Sequence, residues 1–578
     1  NGFCKNIITV INNFADTVLN LTLKDVKIDV SDTGNYSADG KAALSVQGDG
    51  NVEIELDGNN ELKSGWHRAG LEKNASEAEG TLTLKDDNKE AGSLTAKGGG
   101  SAAGIGGSYN GYHKNNGTKN IIITGGTVNA TGGQCGAGIG GGSDGGGKNI
   151  TISGGTVTAA GGNYGAGIGG GDYGSGEDIT INGGTVTATG GFRGAGIGGG
   201  GDGGGGKNIT INRGTVNATG GDEGAGIGGG YYGSGKNITI KGGTVTATGG
   251  EEGAGIGGGY YYGGGYYGNG ENIKITDGTV NATGGWGGAG IGGGGGGGNG
   301  AGGNGKNITI IGGTVTAGGG YRGAGIGGGI SGSGKNITIT GGTVNADGGT
   351  NAAGIGGGAT GSGSNVTVSG AAQVTAIAGK SNGYYGAGAT IGNGGDFTGS
   401  ENVDGKEIQA DISRVTTGYI HHIIYDPALV SEDNPLGIVR EWWEPERPQP
   451  KPENPQPNPE DPNAPAEESN EVSLGTPGLH VETLEGDPLP FNAQQQGSTL
   501  RVTSNDLSAR LHGTRQALEA LREQGVEQIQ FVTTLKTTTL SVEDLLAEGG
   551  SWFALEHNGL VSRRLSAAQA ESLKCRMH

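Results

Sequence analysis

Lys148-Asn149-Ile150-Thr151-Ile152, then Gly155-Thr156-Val157-Thr158-Ala159, then Gly165-Ala166-Gly167-Ile168-Gly169-Gly170-Gly171: this stretch decides the fold. Near-identical copies start at Lys119, Glu177, Lys207, Lys236, Glu271, Lys306, Lys335 and Ser364, a period of about 30 residues. A fixed period of that length marks a solenoid. Within one unit, Ile150 and Ile152 alternate with Asn149 and Thr151, Val157 and Ala159 with Thr156 and Thr158, and Ala166 and Ile168 with Gly. Period-2 alternation bounded by Gly-rich corners reads as three short strands. Three strands and three corners make one coil of a three-sided parallel β-helix, with coils ~4.8 Å apart. Ile, Val and Ala then pile inward as ladders, and whatever is individual moves to the rims.

Working outward, residues 1–100 read as irregular coils of the same solenoid, through runs such as Leu21-Thr22-Leu23, Val52-Glu53-Ile54-Glu55-Leu56 and Leu82-Thr83-Leu84. Regular Gly-rich coils occupy 101–398. Residues 399–443, with Ile420, Ile423 and a Trp442-Trp443 pair, are expected to cap the open end, because an uncovered solenoid end is a sheet edge. Residues 444–469 form a Pro-rich charged linker. A small α+β domain follows over 470–578, with strands expected at Leu500–Val502 and Ile529–Val532 and a helix at Ala517–Glu523. The fold class is therefore mainly β, with a small C-terminal α+β domain.

Composition narrows the function classes. Glycine supplies 139 of the 578 residues, without a Gly-X-Y period, so collagen is excluded. The net charge of −20 argues against nucleic acid and anionic membranes as partners. No apolar run is long enough for a membrane span, so no membrane insertion is expected. Cys4, Cys135 and Cys575 are far apart and odd in number, which fits neither a disulfide framework nor a zinc site. The chain begins at Asn1 in mid-pattern and is read as trimmed or mature, so a missing leader says nothing of location.

Catalytic patterns are weak. The Gly-x-Ser-x-Gly match around Ser143 lies in a Gly-rich corner with no helix after it, and Gly379-Lys380-Ser381 lacks the first glycine of a P-loop, Val374 standing there. Asp144, Asp172, Asp178 and Asp202 sit in different frames of the repeat, which speaks against a carboxylate cluster. His421 and His422 are adjacent and so point to opposite faces of a strand. No catalytic residue and no cofactor is assigned. Acids do not recur in one column, as a calcium-binding nonapeptide roll requires; isolated Ca²⁺ sites among Asp29, Asp32, Asp49 and Asp57 stay open. Asn120, Asn149, Asn208 and their counterparts form one column, broken by Asp178, and read as an amide ladder at a corner. Thr127, Thr156, Thr185 and their counterparts form an outward column that suits a solvated strand face; it also resembles the Thr-x-Thr faces of ice-binding solenoids.

The informative variation is at two corners. Before each Gly-Ala-Gly stands a changing pair: Asn163-Tyr164, Phe192-Arg193, Asp222-Glu223, Glu251-Glu252, Gly285-Trp286, Tyr321-Arg322. After each Gly-Gly-Gly stand Asp172-Tyr173, Tyr231-Tyr232, and Tyr260-Tyr261-Tyr262 with Tyr266-Tyr267. Ten of the 17 tyrosines thus fall in coil loops, where the inward ladders have no room for rings. Exposed rings beside acids and Arg suit stacking on sugar faces, and suit protein contacts equally. The alternative reading is that Tyr shields Gly-rich backbone from water.

The Ile-Thr-Ile-x-Gly-Gly-Thr-Val-x-Ala and Gly-Ala-Gly-Ile-Gly-Gly-Gly elements, with lead-in coils such as Val52–Gly58 and Gly70–Asn74, resemble Gly-rich right-handed β-helix repeats of large surface proteins from gut Firmicutes. The group is similar to carbohydrate-binding β-helix proteins related in shape to pectate lyases. The resemblance covers roughly residues 20–395. It implies a secreted or bacterial cell-surface, adhesin-like protein with glycans or host surface proteins as partners and possible self-association. It transfers no catalytic residues, since the lyase Asp clusters and Arg base have no counterpart. A non-enzymatic binding role is expected, with a structural stalk or filament subunit, and a polysaccharide lyase or hydrolase, as alternatives.

Overall fold

The computed structural model describes the chain except residues 1, 77, 89, 110, 112–116, 263–267, 298–301, 399–400, 427–428, 430–433, 435–436, 446–478, 485–488, 490, 505, 507, 534–535, 548, 559–560, 567–569 and 571–578. Two units result, Asn1–Arg447 and Pro448–His578. The Pro-rich linker falls almost wholly outside the described residues, as do Tyr266, Tyr267 and Cys575.

The first unit is a parallel β-solenoid. A representative coil runs from the strand Gly147–Ile152 through Thr156–Ala160 to the two-residue strand Ile168–Gly169. Each pairs in parallel with its counterpart one coil on: Ile150 with Ile179, Val157 with Val186, Ile168 with Ile197. The Ile-Gly face alone stacks thirteen strands, beginning in the irregular coils at Ile8–Ile11 and ending at Ile391–Gly392. Ile150, Ile152, Val157, Ala159, Ala166 and Ile168 are all buried, and all but Ala166 join with their equivalents in one continuous core. Each buried Ile or Val contributes roughly 1.5–3 kcal/mol, so a coil with few apolar residues suffices because its strands turn nearly all their aliphatic side chains inward.

Two backbone requirements explain the rest of the repeat. The glycine after each Ile has a left-handed φ, 138° at Gly169, and a Cβ there would sit 2.0 Å from the Gly198 carbonyl oxygen. Only Gly closes the third face that tightly. The Asn column is left-handed throughout, from φ 52° at Asn149 to 59° at Asn120, with Asp178 at 54°. It lies within the first strand rather than at a corner: Asn149 is the residue skipped between the Lys148–Glu177 and Ile150–Ile179 pairs. Asn149 Nδ2 donates to Asn120 Oδ1 at 2.6 Å, and Asn237, Asn272, Asn307, Asn336 and Asn365 repeat the bond at 3.0–3.1 Å. Asp178 accepts from Asn208 at 2.8 Å but has no N–H to pass on, which interrupts the ladder there.

Most coils are offset by 29 residues and the longer ones by 35, and the extra residues fall in sequence between the Ile-Gly strand and the next first strand. Tyr419–Tyr425 pairs in parallel with Gln373–Ala378, and Ile438–Glu444 then returns antiparallel on it. Trp443 stacks on His421 and Trp442 on His422, with centroids 4.2 and 4.4 Å apart. His422 Nδ1 meets the Thr390 hydroxyl at 2.6 Å, and burial pushes its pKa down to about 3.

The second unit has two four-stranded sheets: Leu479–Glu482, Ser508–Thr514, Trp552–Asn558 and Val561–Arg564; and Asn492–Gln496, Thr499–Thr503, Gln528–Val532 and Thr537–Ser541. Helix Arg515–Glu523 is capped by Thr514 Oγ1, which accepts from Ala517 N at 3.0 Å. A second helix, Val542–Ala547, was not anticipated; six residues are too few for a period to register. Arg510 is buried between Glu482 and Glu556, at 2.7 and 2.9 Å.

Candidate functional site

The two variable corners, far apart along each coil, lie side by side. The backbone N–H of the residue after Gly-Gly-Gly donates to the carbonyl of the changing pair one coil earlier. Gly201 bonds Tyr164, Tyr231 bonds Arg193, Tyr260 bonds Glu223, Gly295 bonds Glu252 and Ala359 bonds Arg322, at 2.6 to 2.9 Å. The corners thus merge into one ridge along the solenoid. Its outermost column is Gln134, Asn163, Phe192, Asp222, Glu251, Trp286 and Tyr321, all exposed. The next holds Cys135, Tyr164, Arg193, Glu223, Glu252 and Arg322, half-buried. In this register the pair in the long coil is Trp286-Gly287, not Gly285-Trp286, because Gly285 stacks on Gly250 and Gly288 on Gly253.

The ridge separates the aromatic candidates. Tyr173, Phe192, Tyr262, Trp286 and Tyr321 are exposed, Tyr173 by 62% and Trp286 by 46%. Tyr164, Tyr232 and Tyr260 are half-buried. Tyr231 and Tyr261, expected as exposed rings, are buried, with 8% and 9% exposure. The reason is the second corner: Tyr231 fills the seam between the columns, with Arg193 4.6 Å from its centroid, Tyr232 at 3.9 Å and Tyr260 at 5.9 Å. Its hydroxyl donates to Tyr232 Oη at 2.8 Å, and burial drives its pKa upward. Tyr173 and Tyr232 have φ of 57° and 60°, where bulky side chains are uncommon; Asp144 and Asp202 hold the same place in other coils.

Charges gather on the ridge in a way frame-counting along the sequence hides. Asp144, Asp172 and Asp202 come from successive coils and act on one another. Burial first, then Asp202 and Asp144, push the Asp172 carboxyl up to about 7. The expectation that these acids are scattered is therefore corrected for these three; Asp178 stays apart, in the Asn ladder. Arg193 answers the cluster, with Nη1 2.8 Å from Asp202 Oδ1 and Nε 3.0 Å from Glu223 Oε2. Further along, burial, Glu251 and Glu223 push Glu252 up to about 7.

A second aromatic group was missed. Tyr384 stacks on Phe397 at 4.5 Å, and Tyr385 lies 4.6 Å from the Arg322 guanidinium. Trp286 and Tyr321 stack at 5.6 Å and 19° and flank the same guanidinium, at 5.9 and 5.5 Å. Asn382 Nδ2 donates to Tyr321 Oη at 3.2 Å. The cue was present: an aromatic pair directly before Gly386-Ala387-Gly388, in the wording of Tyr164 before Gly165-Ala166-Gly167. Also missed was a cavity of about 560 Å³ at the same corner in the irregular coils, lined by Trp66, Lys63, Lys97, Gly133 and Gln134.

Among the described residues no group of three or more His, Cys, Asp or Glu is arranged to hold a metal. Of the acids weighed for Ca²⁺, Asp29 accepts from Ser31, Asp32 pairs with Lys5 at 2.9 Å and Asp57 accepts from Asn88 at 2.6 Å. No helix among the described residues is long and apolar enough to cross a membrane.

The family model described as Beta helix repeat matches residues 121–143, 150–172, 179–201, 209–231, 238–260, 308–330 and 337–359. Each segment runs from the first inward Ile to the corner after Gly-Gly-Gly, which is the coil seen here. The first unit carries β-helix repeats over these segments. Its matched repeats leave out the coil that carries Trp286. No curated protein and no solved structure matches the chain.

Proposed function

We propose that the ridge is the binding edge of a non-enzymatic, adhesin-like β-helix repeat protein, secreted or displayed on a bacterial surface, and that its ligands are glycans. The observation carrying this reading is the set of exposed rings on one line, Phe192, Trp286 and Tyr321, each fixed by a coil that cannot shift without breaking its neighbours. Rings spaced along a rigid axis meet successive sugars of a chain at little entropic cost. Acids and amides between them, Asn163, Asp222 and Glu251, supply acceptors and donors for hydroxyls. The test is a glycan array read with the full chain and with Trp286→Ala and Phe192→Ala. Loss of signal in both variants is expected; no binding by the parent chain, or unchanged binding by both variants, overturns the reading.

The stalk reading draws on a different observation. Eight coils carry the same inward residues with unbroken register from Ile121 to Ile339 apart from loop length. Such a rod supplies length whatever its rim binds. Electron microscopy of native material showing dispersed monomers alone would count against a filament.

A further inference from the structure

We propose that Arg322 and the rings around it form a subsite for an anionic sugar, a pyranose bearing a carboxylate or a sulfate. The inference rests on the glycan reading above and narrows it at one end of the ridge. Among the described residues Arg322 has no ion-pair partner and donates no side-chain hydrogen bond, although it is half-buried and its Nε is shut off from solvent. A guanidinium so placed has given up water without gaining an acceptor. Its surroundings are rings: Tyr385, Tyr321 and Trp286 at 4.6, 5.5 and 5.9 Å.

Aromatic rings hold the cation but accept no conventional hydrogen bond, so its N–H fork remains available for two oxygens of a carboxylate or sulfate. The acids that a paired Arg would need are absent from the corresponding places. Arg193 is met by Asp202, nine residues on. The residue nine on from Arg322 is Ser331, whose hydroxyl is bonded to Thr360 at 2.8 Å. Glu223, the other partner of Arg193, is replaced one coil after Arg322 by Asn351, whose amide bonds the carbonyls of Tyr385 and Gly386 at 2.9 and 2.8 Å. The exposed Trp286 and Tyr321 rings beside the fork offer apolar surface to a sugar ring carrying the anion. Lys would not replace this geometry, since its point charge has no fork.

The experiment measures binding of the full chain to two disaccharides, glucosyl-glucose and glucuronyl-glucose, which differ by one C6 carboxylate, with a glucose-6-sulfate analogue as the third arm. The acidic sugar is expected to bind at least about tenfold tighter than the neutral one, the size of a charge-assisted fork contact. The third arm tells carboxylate from sulfate. Arg322→Gln is expected to bring acidic and neutral sugars to the same affinity, Arg322→Lys to recover part of the preference, and Trp286→Ala to weaken both. Equal binding of acidic and neutral sugars by the parent chain, or a preference that survives Arg322→Gln, overturns the anionic subsite and leaves the glycan reading standing. Binding of no sugar in any arm, with capture of an acidic peptide instead, overturns both. Unchanged circular dichroism and unfolding midpoint of each variant exclude misfolding as the cause.

Discussion

Arg193 and Arg322 occupy the same column of one ridge, four strand pairings apart along the Ile-Gly face, or roughly 19 Å at strand spacing. One is ion-paired: Asp202 and Glu223 lie beside it, and Tyr231 and Tyr164 lie against it. The other has rings for company and, among the described residues, no carboxylate paired with it. The backbone beneath the two is the same. A solenoid therefore lets chemistry change from coil to coil without a change of fold, because the ridge residues are not part of the inward Ile, Val and Ala ladders that form the core.

The largest effect expected from that difference is on stability. Arg193→Gln leaves Asp202 and Glu223 without their cation beside Asp172, and should cost about 1–3 kcal/mol, given that these side chains are partly exposed. Arg322→Gln removes a cation with no partner and should change stability by less than about 0.5 kcal/mol. Thermal unfolding of both variants in one buffer tests the contrast, and equal losses would break it. Next comes a transplant. Ser331 shares the left-handed backbone of Asp202, with φ 56° against 50°, and Asp accepts that conformation readily. Ser331→Asp should give Arg322 the partner Arg193 has, raise stability by about 0.5 kcal/mol and abolish any preference for acidic sugars. Calorimetry and titration with the two disaccharides report both changes.

A smaller effect sharpens the electrostatics between the two stations. Glu252 ionises near 7 in the fold and near the ordinary 4.5 when unfolded. The folded state therefore holds a proton that the unfolded state has lost, so stability falls as pH rises from about 4.5 to about 7 and then levels. Glu252→Gln should leave stability unchanged at pH 4, raise it by roughly 1 kcal/mol at pH 8 and flatten that slope. Denaturant midpoints across pH 4 to 8 decide it; a slope as steep as in the parent chain would assign the proton elsewhere, Asp172 being the next candidate since it too is raised to about 7.

The ladders were legible because every coil repeats the same one-dimensional pattern. Ile150, Val157 and Ile168 bury as alternation dictates, and a strand's two faces leave no other choice. The left-handed Asn column was legible as a ladder but was displaced from a corner into a strand, since a single bulged residue leaves no periodic trace. The aromatic candidates were found as loop residues, yet Tyr231 and Tyr261 proved buried, because counting along the chain does not reveal that two corners of successive coils meet. Asp144, Asp172 and Asp202 seemed out of frame for the same reason. Tyr384, Tyr385 and Phe397 escaped because their coil departs from the repeat, reading Gly386-Ala387-Gly388-Ala389-Thr390-Ile391 where most others read Gly-Ala-Gly-Ile.

From the sequence alone came the period, the three faces, the inward residues and the places where coils differ; these follow from short-range sterics and the alternation of side chains along a strand. Which rim residues become neighbours was decided only by tertiary structure. Hydrogen bonds between corners of adjacent coils, from residues such as Ala359 and Arg322, set that adjacency. With it they set which arginine finds an acid and which is left to rings.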